Sequence, residues 1–118
     1  VMLSLSAGTK VYLAAGTTDM RRSIDGLSLL VAAQLERDPL SGHLFVFCNR
    51  RRTIVKVLYW DRNGFCLWQK RLEKEFFRWP HSETDVVEVG MRELMWLLEG
   101  LQVDQKNAHK ELTYSSIY

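Results

Sequence analysis

Cysteine and proline are scarce in this 118-residue chain, two of each, and histidine occurs three times. Cys48 and Cys66 fall in strand-like segments expected to flank a common central strand near its opposite ends. That separates them by roughly 25 Å, against a limit of about 7 Å for a disulfide. They are expected to be reduced and to pack as small apolar residues. His43, His81 and His109 show no zinc-ligand spacing with the two cysteines. No glycine-rich phosphate loop, nucleophile elbow or Cys/His pair is present. Asp19, Asp25, Asp38 and Asp61 are scattered over a helix start, a helix interior, a turn and a strand end, so no carboxylate cluster for a metal-dependent nuclease is expected. These absences point away from an enzyme, a metal centre and a cofactor. No apolar run approaches the roughly 20 residues of a membrane-spanning helix, so no membrane partner is expected. The opening VMLSLSAGTKVYLAAG has no basic region followed by a long apolar one. It does not read as a secretory signal, and a cytoplasmic location is expected.

What the chain does have is charge separated along its length. From Phe45 to Trp79 there are nine basic residues (Arg50, Arg51, Arg52, Lys56, Arg62, Lys70, Arg71, Lys74 and Arg78) against Asp61, Glu73 and Glu75, a local balance of +6. From Pro80 onward seven acids face three bases, a balance of −4, and the N-terminal part is neutral. The overall +2 therefore hides a basic middle and an acidic end. A basic, aromatic, strand-forming segment suggests a nucleic-acid face, and the acidic end suggests a second face of different use.

The periodicity predicts a short strand at Lys10–Ala14 and a helix from Met20 or Ser23 to Arg37. Ile24, Leu27, Val31 and Leu35 recur on that helix at spacings of three and four. Thr17, Thr18 and Asp19 offer capping side chains, and Asp38-Pro39 ends the helix. Gly26 within it suggests a close approach by another group. Strands follow at His43–Cys48, Thr53–Asp61 and Phe65–Lys74, the first pair joined by Asn49–Arg52 and the second by a two-residue turn at Asn63-Gly64. That turn would place Trp60 opposite Leu67 and Tyr59 opposite Trp68. One face would carry Val55, Val57, Tyr59, Cys66, Trp68 and Leu72 and meet the core helix. The other would carry Ile54, Lys56, Leu58, Trp60, Leu67, Gln69 and Arg71. Phe76–Trp79 is a further short strand signal, and Thr84–Val89 reads as an edge strand. A second helix opens at Gly90, with Met91, Leu94, Met95, Leu98 and Leu101 on one stripe and Gly100 as its C-terminal cap. The expected fold is a single α+β domain over 1–101: a twisted antiparallel sheet of long hairpins packed against one N-terminal and one C-terminal helix. Runs of strands flanked by separate helices speak against a parallel βαβ arrangement. Residues 102–118 read as a polar tail, disordered or partner-binding.

Several motifs occur in order: Val11-Tyr12-Leu13-Ala14, Thr18-Asp19-Met20-Arg21, Asp25-Gly26-Leu27, Asp38-Pro39, Ser41-Gly42-His43-Leu44-Phe45-Val46-Phe47, Trp60-Asp61, Gly64, Arg71-Leu72-Glu73 and Trp79-Pro80. Together they resemble the TnpB accessory proteins, second-reading-frame products of insertion sequences of the sixty-six family, over about Leu3 to Leu101. The resemblance implies a small bacterial protein needed for transposition and encoded beside a separate DDE-type transposase. It supplies no agreed catalytic or binding residues to carry over, so the chemistry must come from the residues themselves.

The loop Asn49–Arg52 can offer three guanidinium forks to phosphate oxygens. Arg62 lies at the other hairpin tip, Lys56 on the strand between, and Lys70, Arg71, Lys74 and Arg78 continue along the next segment, so these cations are expected to converge on one solvent-facing ridge that spans both tips. Trp60 and Trp79 neighbour charged positions and are the better candidates for base stacking. The competing reading is that the charges keep a long hairpin soluble and block edge pairing, with the aromatics as core. Asp19 and Arg21 read either as a helix cap with its ion pair or as a docking surface. Glu93 and Glu99 on the second helix and Tyr114 and Tyr118 in the tail are candidates for docking a protein partner. Two functions follow. One is a non-catalytic accessory factor binding DNA without sequence preference beside the element's transposase. The other is a subunit that bridges transposition proteins without touching DNA. Nothing in the sequence sets an oligomeric state.

Overall fold

A computed structural model describes residues 7–101. Its elements are β1 (Val11–Ala14), α1 (Ile24–Ala33), β2 (Leu44–Cys48), β3 (Ile54–Asp61), β4 (Gly64–Arg71), β5 (Val86–Val89) and α2 (Met91–Leu98). The strands form one sheet in the order β4-β3-β2-β1-β5. β1 and β2 are buried along their whole length and occupy the interior of the sheet. β5 is the outer strand beside β1, as its alternating pattern predicts.

The α+β class and the two packing helices agree with the sequence, but the sheet is mixed rather than antiparallel. β1 and β2 pair in parallel, Val11 opposite Leu44 and Leu13 opposite Val46, and every other pair is antiparallel. β1, α1 and β2 are thus a βαβ unit, the arrangement that the order of elements spoke against. The segment between the two strands, residues 15–43, is well over the dozen or so residues that a crossover needs, and its helix returns the chain to the starting end of β1.

The β3–β4 register also differs. Asp61 pairs with Gly64 and Trp60 with Phe65, so Arg62 and Asn63 form the turn. The left-handed backbone falls on Arg62, at φ 58°. The pairing is shifted by two residues from the expected one. A strand repeats every two residues, so the shift leaves each side chain on its expected face. It also brings the Trp60 and Phe65 rings edge to face at 5.1 Å.

Both faces of the sheet are covered. Val11, Leu13, Leu44, Val46, Cys48, Val55 and Val57 pack with Phe77 and with Leu94, Leu97 and Leu98 of α2, and Tyr59, Trp68 and Leu72 join them. Tyr12, Ala14, Phe45, Phe47 and Leu58 pack on the opposite side with Leu27, Leu30, Val31 and Leu35. The face expected to meet the core helix therefore meets α2, and the mixed face carrying Lys56 lies under α1.

α1 is shorter than its periodicity implies. It ends at Ala33, and the chain turns at Glu36 (φ 55°) with the Arg37 N–H donating to the Val31 carbonyl at 3.1 Å. The turn lets Leu35 enter the core and sets the Arg37 guanidinium 5.0 Å from the centre of the Tyr12 ring. The N-cap is Ser23, with no side-chain capping bond, so Thr17, Thr18 and Asp19 do not cap this helix. The group close to Gly26 is the stem of Arg22, 3.3 Å from where a Cβ would stand. β4 stops at Arg71, before the expected Lys74, and Phe76–Trp79 is irregular rather than a strand. That segment is still anchored, because Phe77 is 2% exposed and its N–H donates to the Arg52 carbonyl at 2.7 Å. Gly100 takes φ 86° just after α2, as expected for a C-terminal cap.

Candidate nucleic-acid interface

The loop between β2 and β3 is built around Asn49. Its Oδ1 accepts from the Thr53 and Ile54 N–H groups at 2.9 and 3.0 Å, and its Nδ2 donates to the Thr53 hydroxyl at 3.0 Å. The Arg52 N–H closes the turn onto the Asn49 carbonyl at 3.1 Å, with Arg52 at φ 62°. A short polar side chain thus satisfies the backbone of the turn and leaves Arg50 and Arg51 exposed.

Arg52 faces a different environment. Its guanidinium lies 5.7 Å from the centre of the Trp79 ring, and its Nη1 is buried with no hydrogen-bond partner among the described residues. It also lies near the thiol of Cys48. Burial pushes that thiol above its ordinary value, and the guanidinium pulls only partly the other way. Trp79 in turn donates from Nε1 to the Ala14 carbonyl at 2.9 Å. Arg52 and Trp79 therefore help hold the 77–79 segment against the end of β1.

The remaining expected cations separate in space. Lys56 is buried, and its Nζ donates at 2.9 Å to the carbonyls of both Met20 and Arg22. Lys70 donates from Nζ to the Leu98 carbonyl at 2.8 Å, placing a positive charge at the C-terminal end of α2, where the helix dipole favours it. Arg71 pairs with Glu73 at 2.9 Å on the open surface. Lys74 and Arg78 are exposed. Arg62 sits at the far turn of the β3–β4 hairpin, about 25 Å from Arg50–Arg52 along an eight-residue strand. The two hairpin tips therefore do not form one ridge, and Trp60 lies beside the far tip.

A group that sequence reasoning missed replaces the ridge. The parallel pairing of β1 and β2 brings the loops following both strands to the same end of the sheet. The Thr18 N–H donates to the Cys48 carbonyl at 2.8 Å and ties them together. Between them opens a cleft of about 570 Å³ lined by Thr17, Thr18, Asp19, Met20, Arg22, Leu30, Gln34, Asn49, Arg50 and Arg51. A smaller depression shares Thr17, Thr18, Leu30 and Gln34 with it and leads past Gly16 and Asp85 to a third of about 390 Å³ beside Arg52, Trp79 and His81. The available signal was the βαβ order itself, since ligands in such sheets gather at the carboxyl ends of parallel strands.

The electrostatics of the cleft favour an anion. Asp19 is its one carboxylate, and Arg21 engages it through both Nε and Nη2 at 2.6–3.0 Å. That pairing holds the Asp19 carboxyl down at about 2 and raises the Arg21 guanidinium. Arg22 attracts Asp19 only weakly and at longer range, and neither it nor Arg50 or Arg51 enters an ion pair among the described residues. Three guanidiniums thus border a concavity whose one acid is already neutralised.

The expected docking residues are dispersed. Asp19 and Arg21 pair with each other at the cleft. Glu93 accepts the Gly90 N–H at 2.9 Å and so caps α2; a Cβ at Gly90 would stand 2.6 Å from the carboxylate oxygen, so a larger residue there would push the Glu93 side chain aside. Glu99 is exposed at the other end of α2. Tyr114 and Tyr118 lie outside the described residues. Among the described residues no three His, Cys, Asp or Glu side chains gather closely enough to hold a metal ion, and no helix is long and apolar enough to cross a membrane. Cys48 and Cys66 are both free, the first buried and the second half-buried.

A family model described as "IS66 Orf2 like protein" matches residues 9–108. The chain is similar to two curated proteins of Sinorhizobium fredii (strain NBRC 101917 / NGR234). "Uncharacterized protein y4hO" is 38% identical over 100 residues, covering 85% of this chain and 87% of its own length. "Uncharacterized protein y4jC" is 33% identical over 100 residues, covering 85% and 86%. No solved structure matches the chain.

Proposed function

This chain belongs to the IS66 Orf2-like family of insertion-sequence accessory proteins, and we propose that it serves transposition by gripping the phosphate backbone of DNA without catalysing strand chemistry itself. The observation that carries this reading is the unpaired trio of Arg22, Arg50 and Arg51 around a cleft whose carboxylate is already bound by Arg21. Guanidinium forks match phosphate oxygens, and phosphate contact carries no sequence information, so binding is non-specific. Lys74 and Arg78, exposed on the segment after β4, add unpaired positive charge, while Arg52, Lys70 and Arg71 are engaged by Trp79, the Leu98 carbonyl and Glu73, and Lys56 acts by fixing the loop that carries Arg22. The element's own transposase performs the chemistry and is the protein partner, in the cytoplasm.

The test is a titration of labelled duplex DNA at salt from about 50 to about 200 mM, a range over which phosphate contacts lose most of their affinity. Affinity should fall steeply and log-linearly. Changing Arg50 and Arg51 together to Ala should reduce the slope by about two. No binding even at the lowest salt refutes the reading.

A second reading is that of a bridging subunit without DNA contact. One observation favours it: Phe76, Met95 and Leu101 are 64%, 42% and 37% exposed, all in or near the α2 side of the molecule. Loss of transposase capture on Phe76→Ser, with DNA binding absent, would select it over the first.

A further inference from the structure

Resting on the reading that the arginine cleft grips DNA, we infer that its occupant is an unpaired nucleotide at a strand end, and that intact duplex is the poorer ligand. The cleft is concave and holds about 570 Å³. That lies within the roughly 300–1,000 Å³ of sites that enclose one small ligand, which is the size class of a nucleotide. A duplex presents its phosphates on a convex cylinder and keeps its base faces stacked against one another. Such a surface can touch the rim arginines and cannot reach the interior.

The lining sorts by chemistry in a way that suits a single nucleotide. Arg22, Arg50 and Arg51 supply the phosphate contacts. Met20 and Leu30 supply an apolar floor, with Leu30 8% exposed and Met20 half-buried and packed against the α1 side of the core. Gln34, exposed just past the end of α1, supplies an amide with both donors and an acceptor for a base edge. Asn49 cannot play that part, because both ends of its side chain are held by Thr53 and Ile54. Only a nucleotide out of the stack offers a base face to the floor and an edge to Gln34 while its phosphate meets the arginines.

The experiment compares one labelled duplex in two forms, blunt and with a short single-stranded overhang, by fluorescence anisotropy on the whole chain. The overhang form should bind about fivefold tighter, which is what covering roughly 40 Å² of apolar surface against Met20 and Leu30 contributes. The advantage should shrink when the overhang nucleotides are abasic. It should shrink again in Gln34→Ala, whose side chain is exposed and whose loss leaves the core intact. Equal binding of blunt and overhang DNA overturns this inference and leaves the phosphate grip standing. An overhang advantage that ignores both abasic substitution and Gln34→Ala overturns it as well. Failure of both forms to bind removes the phosphate grip and this inference together.

Discussion

The Nζ of Lys56 in β3 donates to the backbone carbonyl of Arg22 at 2.9 Å, so a buried ammonium holds in place the chain segment that carries a cleft arginine. The same ammonium holds Met20, on the cleft floor, by a second bond of equal length. Replacing Lys56 by Met fills similar space and leaves two carbonyls without their donor. Stability should fall by roughly 2–3 kcal/mol, measured as a shift of the urea midpoint. DNA affinity should fall too, although Lys56 meets no solvent-exposed phosphate. An unchanged midpoint would show that water replaces the ammonium without cost.

Arg62 provides the contrast. It stands on the opposite turn of the hairpin, about 25 Å from Arg50 and Arg51. At physiological salt the screening length is about 8 Å, so its charge reaches the cleft hardly at all. Arg62→Gln should leave DNA affinity within about a factor of two and the salt slope unaltered, whereas the Arg50/Arg51 double change alters both. A large loss in Arg62→Gln would restore a two-tip binding surface.

The Asp19–Arg21 pair makes a pH prediction. The Asp19 carboxyl is held at about 2, below its ordinary 3.8, chiefly by the side-chain and backbone hydrogen bonds from Arg21. A carboxyl with a depressed native pKa contributes its interaction fully above the ordinary value and loses it as pH falls through the native one. The pair should therefore remain closed at pH 4 and open only near pH 2. Arg21→Ala should return the Asp19 titration toward 3.8, as read by carboxyl carbon NMR shifts. The same change exposes an uncompensated carboxylate in the cleft and should weaken DNA binding.

The two thiols should differ in reactivity. Burial raises the Cys48 thiol above its ordinary value, and no solvent reaches it. Thiolate is the reacting form, so iodoacetamide at about pH 8 should modify half-buried Cys66 first, leaving Cys48 until the chain unfolds. Mass-spectrometric mapping over time checks the order. Early modification of Cys48 would mean that the Arg52–Trp79 segment opens readily.

Phe77 tests whether the irregular 77–79 segment is part of the core. It is 2% exposed and packs with Leu94, Leu97 and Leu98 of α2. Phe77→Ala should cost about 3–5 kcal/mol, the range for a buried aromatic replaced by Ala. Calorimetry would read this as a lower melting temperature. A loss well under 1 kcal/mol would place the segment outside the folded core.

Local physics was legible in the amino-acid order. Alternation marked β3, β4 and β5, spacing of three and four marked both helices, and each strand's two faces survived a two-residue change of register because that change preserves parity. The basic loop was legible as well, since Asn49 is followed directly by three arginines. The order of residues left open which end of the sheet each loop reaches, because that depends on whether β1 and β2 run the same way. Their parallel pairing joins Arg22 to Arg50 and Arg51, from which it is distant in sequence, whereas the antiparallel hairpin alone puts Arg62 at the opposite end. Lys56 and Arg52 turn inward because both faces of the sheet are covered, and a cation buried there must find carbonyls or an aromatic ring instead of water. Charge and periodicity belong to the chain, whereas convergence belongs to the packing that brings distant loops together.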